Sequence, residues 1–442
     1  MINDKTTLTD LSFFCNGDAD IFALINHCTT VQGKEVLKQH ILNPPKSLEE
    51  LLAVQNVVRY FSTHQNSWTN SITNGTLVIL EKYFETADNA PTPSVFNLMF
   101  GVFFQKILAK NEQSLVQFSL SQLADFFKGL MELTTILKQE NLPEKLIQIL
   151  LEIEEEVSKL SLVPQLLVVR KHTSFSQLVK LNFEARRTLK NPMKRLMEKY
   201  ALLDAWHSMG VATKNNNWCF PKITDSFPIK FQVEGLFHPL VANPKDYEID
   251  FNPQYNFLLL TGANMSGKTT FMRAIGVASL LAHLGIGVPA KSMSTCFLEG
   301  VITNMHVEDN LQLGESYFFA EVKRMKQTAT QLQKQLPHLV LMDELFKGTN
   351  VHDAYECTRA VIDGLLHFPH HILVLSTHLY EVAQQFVSNE KLMFKFFETN
   401  ITDEGKYSFS YELKDGITND RIGYKILQQE GVLELLNRNE NK

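Results

Sequence analysis

The stretch Phe257-Leu258-Leu259-Leu260-Thr261-Gly262-Ala263-Asn264-Met265-Ser266-Gly267-Lys268-Thr269-Thr270 decides the reading of this chain. Its opening apolar residues read as a buried strand, the pattern G-x-x-x-x-G-K-T follows, and an apolar pattern of helical period starts directly afterwards. That context is what the chemistry of the loop needs. Gly262 and Gly267 let the backbone curl, so that successive amides through Ala263, Asn264, Met265 and Ser266 point inward at phosphate oxygens. The helix that begins near Lys268 adds its positive N-terminal end. The Lys268 ammonium can bridge the outer phosphates, and the Thr269 hydroxyl, with Thr270 behind it, is placed to hold magnesium. The 262–270 stretch is therefore expected to bind ATP with Mg2+.

Working outward, His338-Leu339-Val340-Leu341-Met342-Asp343-Glu344 is an apolar strand that ends in two acids. Paired acids after a strand often only cap the next helix. At the carboxyl end of a strand beside a phosphate loop, however, Asp343 can bind magnesium and Glu344 can polarise an attacking water. A further strand, 372–375, leads into Ser376-Thr377-His378, where the histidine can sense a terminal phosphate, although an isolated histidine is more often structural. Strand candidates 257–260, 339–342 and 372–375 alternate with helical stretches, the pattern of a mainly parallel sheet covered by helices.

Upstream the character differs. Apolar residues recur at helical spacing through 33–61, interrupted by Asn43-Pro44-Pro45, with Ser47 and Glu50 spaced as a capping box. Residues 95–212 stay helical in pattern, with Pro143, Pro164 and Pro192 as expected breaks or helix starts. Prolines and short apolar runs in 215–253 mark a strand-rich boundary. The predicted fold is an α/β P-loop NTPase domain, 215–442 with a short C-terminal helical tail, preceded by an all-α core and lever domain, 1–214.

The 442 residues, 44% hydrophobic and 20% charged, describe an ordinary globular chain and exclude a disordered one. The polar start lacks a secretory signal, the most apolar stretch (276–290) is too short and too broken to span a bilayer, and the five scattered cysteines contain no C-x-x-C pair. A cytoplasmic protein without membrane contact is expected. With a net charge of -6, attraction to nucleic acid has to come from a local basic surface. Residues 170–199 supply one candidate: if Phe183 to Tyr200 is helical up to Pro192 and again beyond it, Arg186, Lys190 and Lys194 share a face that can meet phosphates, although such charge runs also occur as plain solvated faces.

The phosphate loop, Leu341-Met342-Asp343-Glu344-Leu345-Phe346-Lys347-Gly348-Thr349-Asn350 and Ser376-Thr377-His378-Leu379-Tyr380-Glu381, in this order, resemble the ATPase domain of the MutS mismatch-repair family, within the wider ABC-type ATPases. Gly314-Glu315-Ser316-Tyr317-Phe318-Phe319-Ala320-Glu321-Val322 looks like that family's signature loop. Gly235-Leu236-Phe237-His238-Pro239-Leu240-Val241 is similar to its entry into the ATPase domain, and 33–61 to the start of its helical core. The resemblance implies that Asn264 and Lys268 contact phosphate or the attacking water. It also implies that Thr269 and Asp343 hold magnesium, that Glu344 is the general base and that His378 reads the terminal phosphate. Ser316 would reach the nucleotide of a partner subunit, which implies a homodimer with composite sites; on the residues alone it also fits a helix N-cap.

Departures from the family pattern are Ala263 for Pro, Tyr317 for Thr, and Phe346-Lys347 for Gly-Arg. No mismatch-reading domain with its Phe-x-Glu wedge and no C-terminal nuclease domain are expected in this form. Two functions follow from the resemblance. One is an ATPase coupled to double-stranded or branched DNA, in mismatch repair or control of recombination, passing its signal to a repair protein; the other is a nucleotide-gated module that binds a protein partner and no DNA.

Overall fold

The structure is a computed structural model, and it describes residues 4–15, 20–65, 68–85, 95–138, 141–169, 173–305, 317–334, 336–401, 407–418, 427–428 and 430–437. The chain divides into two compact units. One comprises Ile25–His40 and Ala53–Lys214, the other Met1–Leu24, Ile41–Leu52 and Asn215–Lys442.

In the first of these units every described element is helical. The long helices Val95–Leu137 and Lys190–Asn215 run through it, with Asn74–Glu85, Glu144–Ser158 and Phe175–Thr188. Pro143 precedes the helix Glu144–Ser158 as its N-cap, and Pro164 sits in the first turn of Val163–Leu167. The break expected at Pro192 lies instead at Leu189, with Pro192 inside the first turn of the next helix, where its missing N–H costs nothing. Asp204, fully buried, explains how the start of the helix Val31–Leu42 is held. Its carboxylate accepts from Thr29 N and Oγ1 and from Thr30 N and Oγ1 at 2.7–3.0 Å, satisfying amides that a helix start leaves open. Gly33 is required there, because a Cβ would lie 2.2 Å from Asp204 Oδ2. In the segment Ile41–Leu52, which belongs to the other unit, Ser47 Oγ accepts from Glu50 N, while the Glu50 carboxylate reaches back to Lys46 N, a capping box displaced by one residue.

The other unit is built on two sheets. The strands are β1 (Lys222–Thr224), β2 (Phe231–Leu236), β3 (Tyr247–Phe251), β4 (Phe257–Thr261), β5 (Ser292–Cys296), β6 (Gly300–Asn304), β7 (His338–Asp343), β8 (Ile372–Ser376), β9 (Leu392–Ile401) and β10 (Tyr407–Asp415). A four-stranded sheet runs β1-β5-β2-β3, and a six-stranded sheet β10-β9-β4-β8-β7-β6. The six-stranded sheet is parallel except for the β9/β10 hairpin. Strands β4, β7 and β8 are buried at every residue, as expected for strands covered on both faces. Phe257, Leu259, Val340, Met342, Leu373 and Leu375 pack with Ile362 and Leu365 of the helix Val351–Leu365. The helix Lys268–His283 reaches Leu341 through Gly276, where a Cβ would come within 2.9 Å of the Leu341 side chain. β2 and β3 alternate buried and exposed residues and so have one wet face.

The expected contiguous domain 1–214 differs from this division at the N-terminus, for a visible physical reason. The helix Lys5–Asp10 lies along the edge strand β6: Asp10 Oδ2 accepts from Thr303 Oγ1 at 2.6 Å and from Met305 N at 3.3 Å, and Thr7 Oγ1 donates to Val301 O. Polar Thr and Asp residues on a short helix gave no hint of a covered sheet edge so far along the chain. Among the described residues no helix is long and apolar enough to cross a membrane.

Candidate active site

Three strand ends, those of β4, β7 and β8, converge on the loop 262–270. β4 ends at Thr261, Gly262 turns the chain at φ +144°, and Gly267, at φ +113°, is the N-cap of the helix Lys268–His283. Both glycines occupy backbone geometry that side-chain-bearing residues rarely adopt, so the turn depends on them. Asn264 and Met265 point to solvent, whereas Ala263, Ser266 and Lys268 are buried. Ser266 Oγ, buried within the loop, finds no hydrogen-bond partner among the described residues. A buried hydroxyl left open is costly, and an anion held by the amides of such a loop could satisfy it.

Lys268 Nζ donates to Gly262 O at 2.8 Å and Ala263 O at 2.9 Å, and lies 3.7 Å from Glu344 Oε1. Burial lowers its pKa from the ordinary lysine value, while the nearby Glu344 and Asp343 carboxylates act in the opposite sense. Thr269 Oγ1 donates to Asp343 Oδ2 at 2.7 Å, and Ser376 Oγ donates to Asp343 Oδ1. The register Asp343↔Ser376 between β7 and β8 accounts for the second contact. Among the described residues no three His, Cys, Asp or Glu side chains gather into a metal-ligating cluster. Thr269 and Asp343 would therefore hold a hard cation only together with phosphate and water, the habit of Mg2+.

Glu344 follows directly, in left-handed backbone at φ +54°, with its amide donating to Ser376 O at 3.1 Å. Its carboxylate faces three side-chain nitrogens: Lys268 on one oxygen, and on the other Lys347 Nζ at 3.2 Å and His378 Nδ1 at 3.7 Å. His378 is exposed. Tyr411 also stands at the loop. It sits where the β9/β10 register shifts, at φ +56°, and a Cβ on Gly267 would lie 3.3 Å from its Cδ1. Beneath it Tyr247, Phe271 and Phe397 meet edge to face. Ser376, Lys347 and Tyr411 received no role from the sequence; only the strand register holds a signal for Ser376. Ser316 falls outside the described residues.

The basic run of the helical unit is largely engaged. The Arg186 guanidinium lies 4.3 Å over the Tyr83 ring, and its Nε donates to Asn182 Oδ1. Lys190 and Lys194 start the following helix and line a groove together with Glu35, Glu81, Glu85 and Glu198. Arg195 pairs with Glu156 and Lys199 with Glu152. The break at Leu189 places Arg186 on a different helix from Lys190 and Lys194.

Comparison with known proteins adds the following. Residues 258–440 match a family model described as MutS domain V. The chain is 30% identical over 243 residues to the DNA mismatch repair protein msh3 of Aspergillus fumigatus, a match covering 52% of this chain and 21% of that protein. It is 31% identical over 247 residues to the DNA mismatch repair protein MutS of Methanosarcina barkeri, covering 54% and 27%. The MutS of Methanosarcina acetivorans is 30% identical over 267 residues, covering 57% and 29%. The matched part thus spans less than a third of the length of each of these relatives.

Proposed function

We propose that this chain, which belongs to the MutS family of DNA mismatch repair ATPases, binds ATP with magnesium on an ABC-type P-loop fold and hydrolyses it. The observation that carries the reading is the juxtaposition of the buried Ser266 hydroxyl, without a partner among the described residues, with Lys268, the Thr269–Asp343 pair and Glu344 around one loop. ATP supplies the phosphoanhydride to be cleaved and Mg2+ its charge neutralisation. The loop amides from Gly262 to Thr270, with Ser266, hold the phosphates, and Lys268 turns from the carbonyls of Gly262 and Ala263 to the outer phosphates. Thr269 and Asp343 hold the metal. Glu344 takes the proton of the attacking water, His378 faces the terminal phosphate, and the half-exposed Tyr411 ring offers a platform to the base. In this reading Lys268→Ala loses nucleotide binding, whereas Glu344→Gln keeps it and slows hydrolysis by about 10²–10⁴-fold. Binding of a fluorescent ATP analogue and phosphate release measure the two separately, and a Glu344→Gln protein that turns over like wild type defeats the assignment.

As in the family, a homodimer would complete each site with Ser316 of the other subunit, and nucleotide state would govern contact with double-stranded or branched DNA. One observation favours the second reading, a nucleotide-gated module that binds a protein: the basic run is packed on Tyr83 or paired with acids. DNA binding at several salt concentrations separates the two. Replacing Arg186, Lys190 and Lys194 by Glu together lowers affinity and flattens the salt slope if they meet phosphates. Identical binding curves for the wild type and the triple variant return them to a structural role.

A further inference from the structure

Beyond the groups that touch nucleotide or metal in this reading, the turn after β7 carries a cation without an assigned task. We propose that Lys347 is a positioning residue for Glu344, holding the carboxylate in its working orientation once phosphate charge enters the loop. The proposal rests on the reading of Glu344 as general base.

Geometry supports it from both ends of the contact. Lys347 Nζ lies 3.2 Å from Glu344 Oε2, nearer than the Lys268 ammonium or the His378 ring nitrogen, each 3.7 Å from that carboxylate. Its main chain is fixed independently: Lys347 N and Gly348 N each donate to the buried Glu321 carboxylate at 3.1 Å. Phe346 adopts φ +62°, a conformation costly for an aromatic residue, and its buried ring packs against Phe318 with centroids 6.0 Å apart. Gly348 permits this approach, since a Cβ there would lie 2.6 Å from Phe318 N. Two left-handed residues, Glu344 and Phe346, thus fold the turn so that Lys347 reaches back to the acid three positions earlier. The helix Tyr317–Leu332 sets that turn through Glu321 and Phe318.

Electrostatics explains why a cation is needed. When nucleotide binds, Lys268 is drawn to phosphate oxygens, and Glu344 is left beside Asp343 facing a polyanion. Repulsion between like charges at such distances turns the side chain away unless a cation stays with it. An ion pair as open as this one, 39% exposed on the lysine, adds little to stability, so its effect lies in the orientation of the carboxylate.

The test is a cycle on the full chain with Lys347→Met, Lys347→Arg, Glu344→Gln and the double variant Lys347→Met/Glu344→Gln, reading kcat, KM and the Kd of a fluorescent ATP analogue. Lys347→Met is expected to lower kcat by about tenfold, a part of what a general base contributes, with Kd within about twofold of wild type. Lys347→Arg restores most of the loss, and the methionine costs nothing further when Glu344 is already Gln. Unchanged kcat in Lys347→Met overturns the proposal. So does a weakened Kd at constant kcat, or an additive loss in the double variant. An unchanged Kd also shows that the variants fold, and the Glu344→Gln arm alone reports separately on the base assignment.

Discussion

His283 illustrates how much a single residue's chemistry depends on its surroundings. On the sequence it interrupts an apolar stretch; in the fold it is fully buried, its Nδ1 donating to Ser279 O and its Nε2 accepting from Leu298 N, both at 2.8 Å. That pattern needs the neutral ring, and burial pushes its pKa down to about 4. The unfolded chain titrates near about 6.5, so between these values the unfolded state binds more protons than the native state. The stability due to neutral His283 is therefore complete above about pH 6.5 and is lost as the pH falls toward 4. Denaturant midpoints at a series of pH values should fall more steeply over this window in wild type than in His283→Gln, which keeps an acceptor for Leu298 N without a titrating ring. Parallel curves for the two proteins exclude the assignment. The positions of Lys268 and Thr269 were legible from motif spacing, because the loop is one run of consecutive residues, and that of Asp343 from the end of an apolar strand. The environment of His283 comes from residues distant in the chain and could not be read that way.

At the scale of elements, the strands β4, β7 and β8 were legible because strands covered on both faces need unbroken apolar runs. β5, with the polar run Ser292–Cys296, and β6, Gly300–Asn304, lack that signal and become strands through their neighbours. The short helix Lys5–Asp10 is the clearest case of an element placed by tertiary contacts, since Asp10 gains its meaning only beside Thr303 and Met305. Asp10→Ala removes the acceptor for a buried hydroxyl and an amide, and is expected to cost about 1–3 kcal/mol of stability. Urea unfolding followed by tryptophan fluorescence measures this, and a midpoint equal to that of wild type contradicts the role given to the carboxylate.

For the whole molecule the open matter is how many chains complete a site. If Ser316 serves the nucleotide of a second subunit, a Ser316→Arg protein and a Lys268→Ala protein are each inactive alone. Mixed, they rebuild one sound site per heterodimer, the intact Ser316 of one facing the intact Lys268 of the other. Recovery of hydrolysis on mixing, with subunit exchange verified by differential labelling, is the expected outcome. Full activity from a strictly monomeric preparation, or silence from confirmed heterodimers, defeats the shared site. The division of the chain belongs to this scale too. The division into units falls between Lys214 and Asn215, yet Met1–Leu24 and Ile41–Leu52 group with the C-terminal portion, because compactness follows contacts and not chain order.

What the sequence by itself determined was the local pattern: the glycine-bounded loop from Gly262 to Thr270, the acids at the end of β7, the buried strands and the helical run before them. Each is written in neighbouring residues, through a backbone turn that needs glycine, a helix start, or the period of apolar side chains. What only the tertiary structure decided was every relation between distant segments. Ser376 reaches Asp343 through strand register, Tyr411 reaches Gly267 through a bulge, and Asp10 reaches Met305 across the sheet edge. Lys347, three residues from Glu344, belongs with these, because its orientation depends on Glu321 and Phe318 of another helix. The physical reason is common to all four: a side chain's partner is set by packing that closes long loops of chain, and no local pattern of residues carries that information.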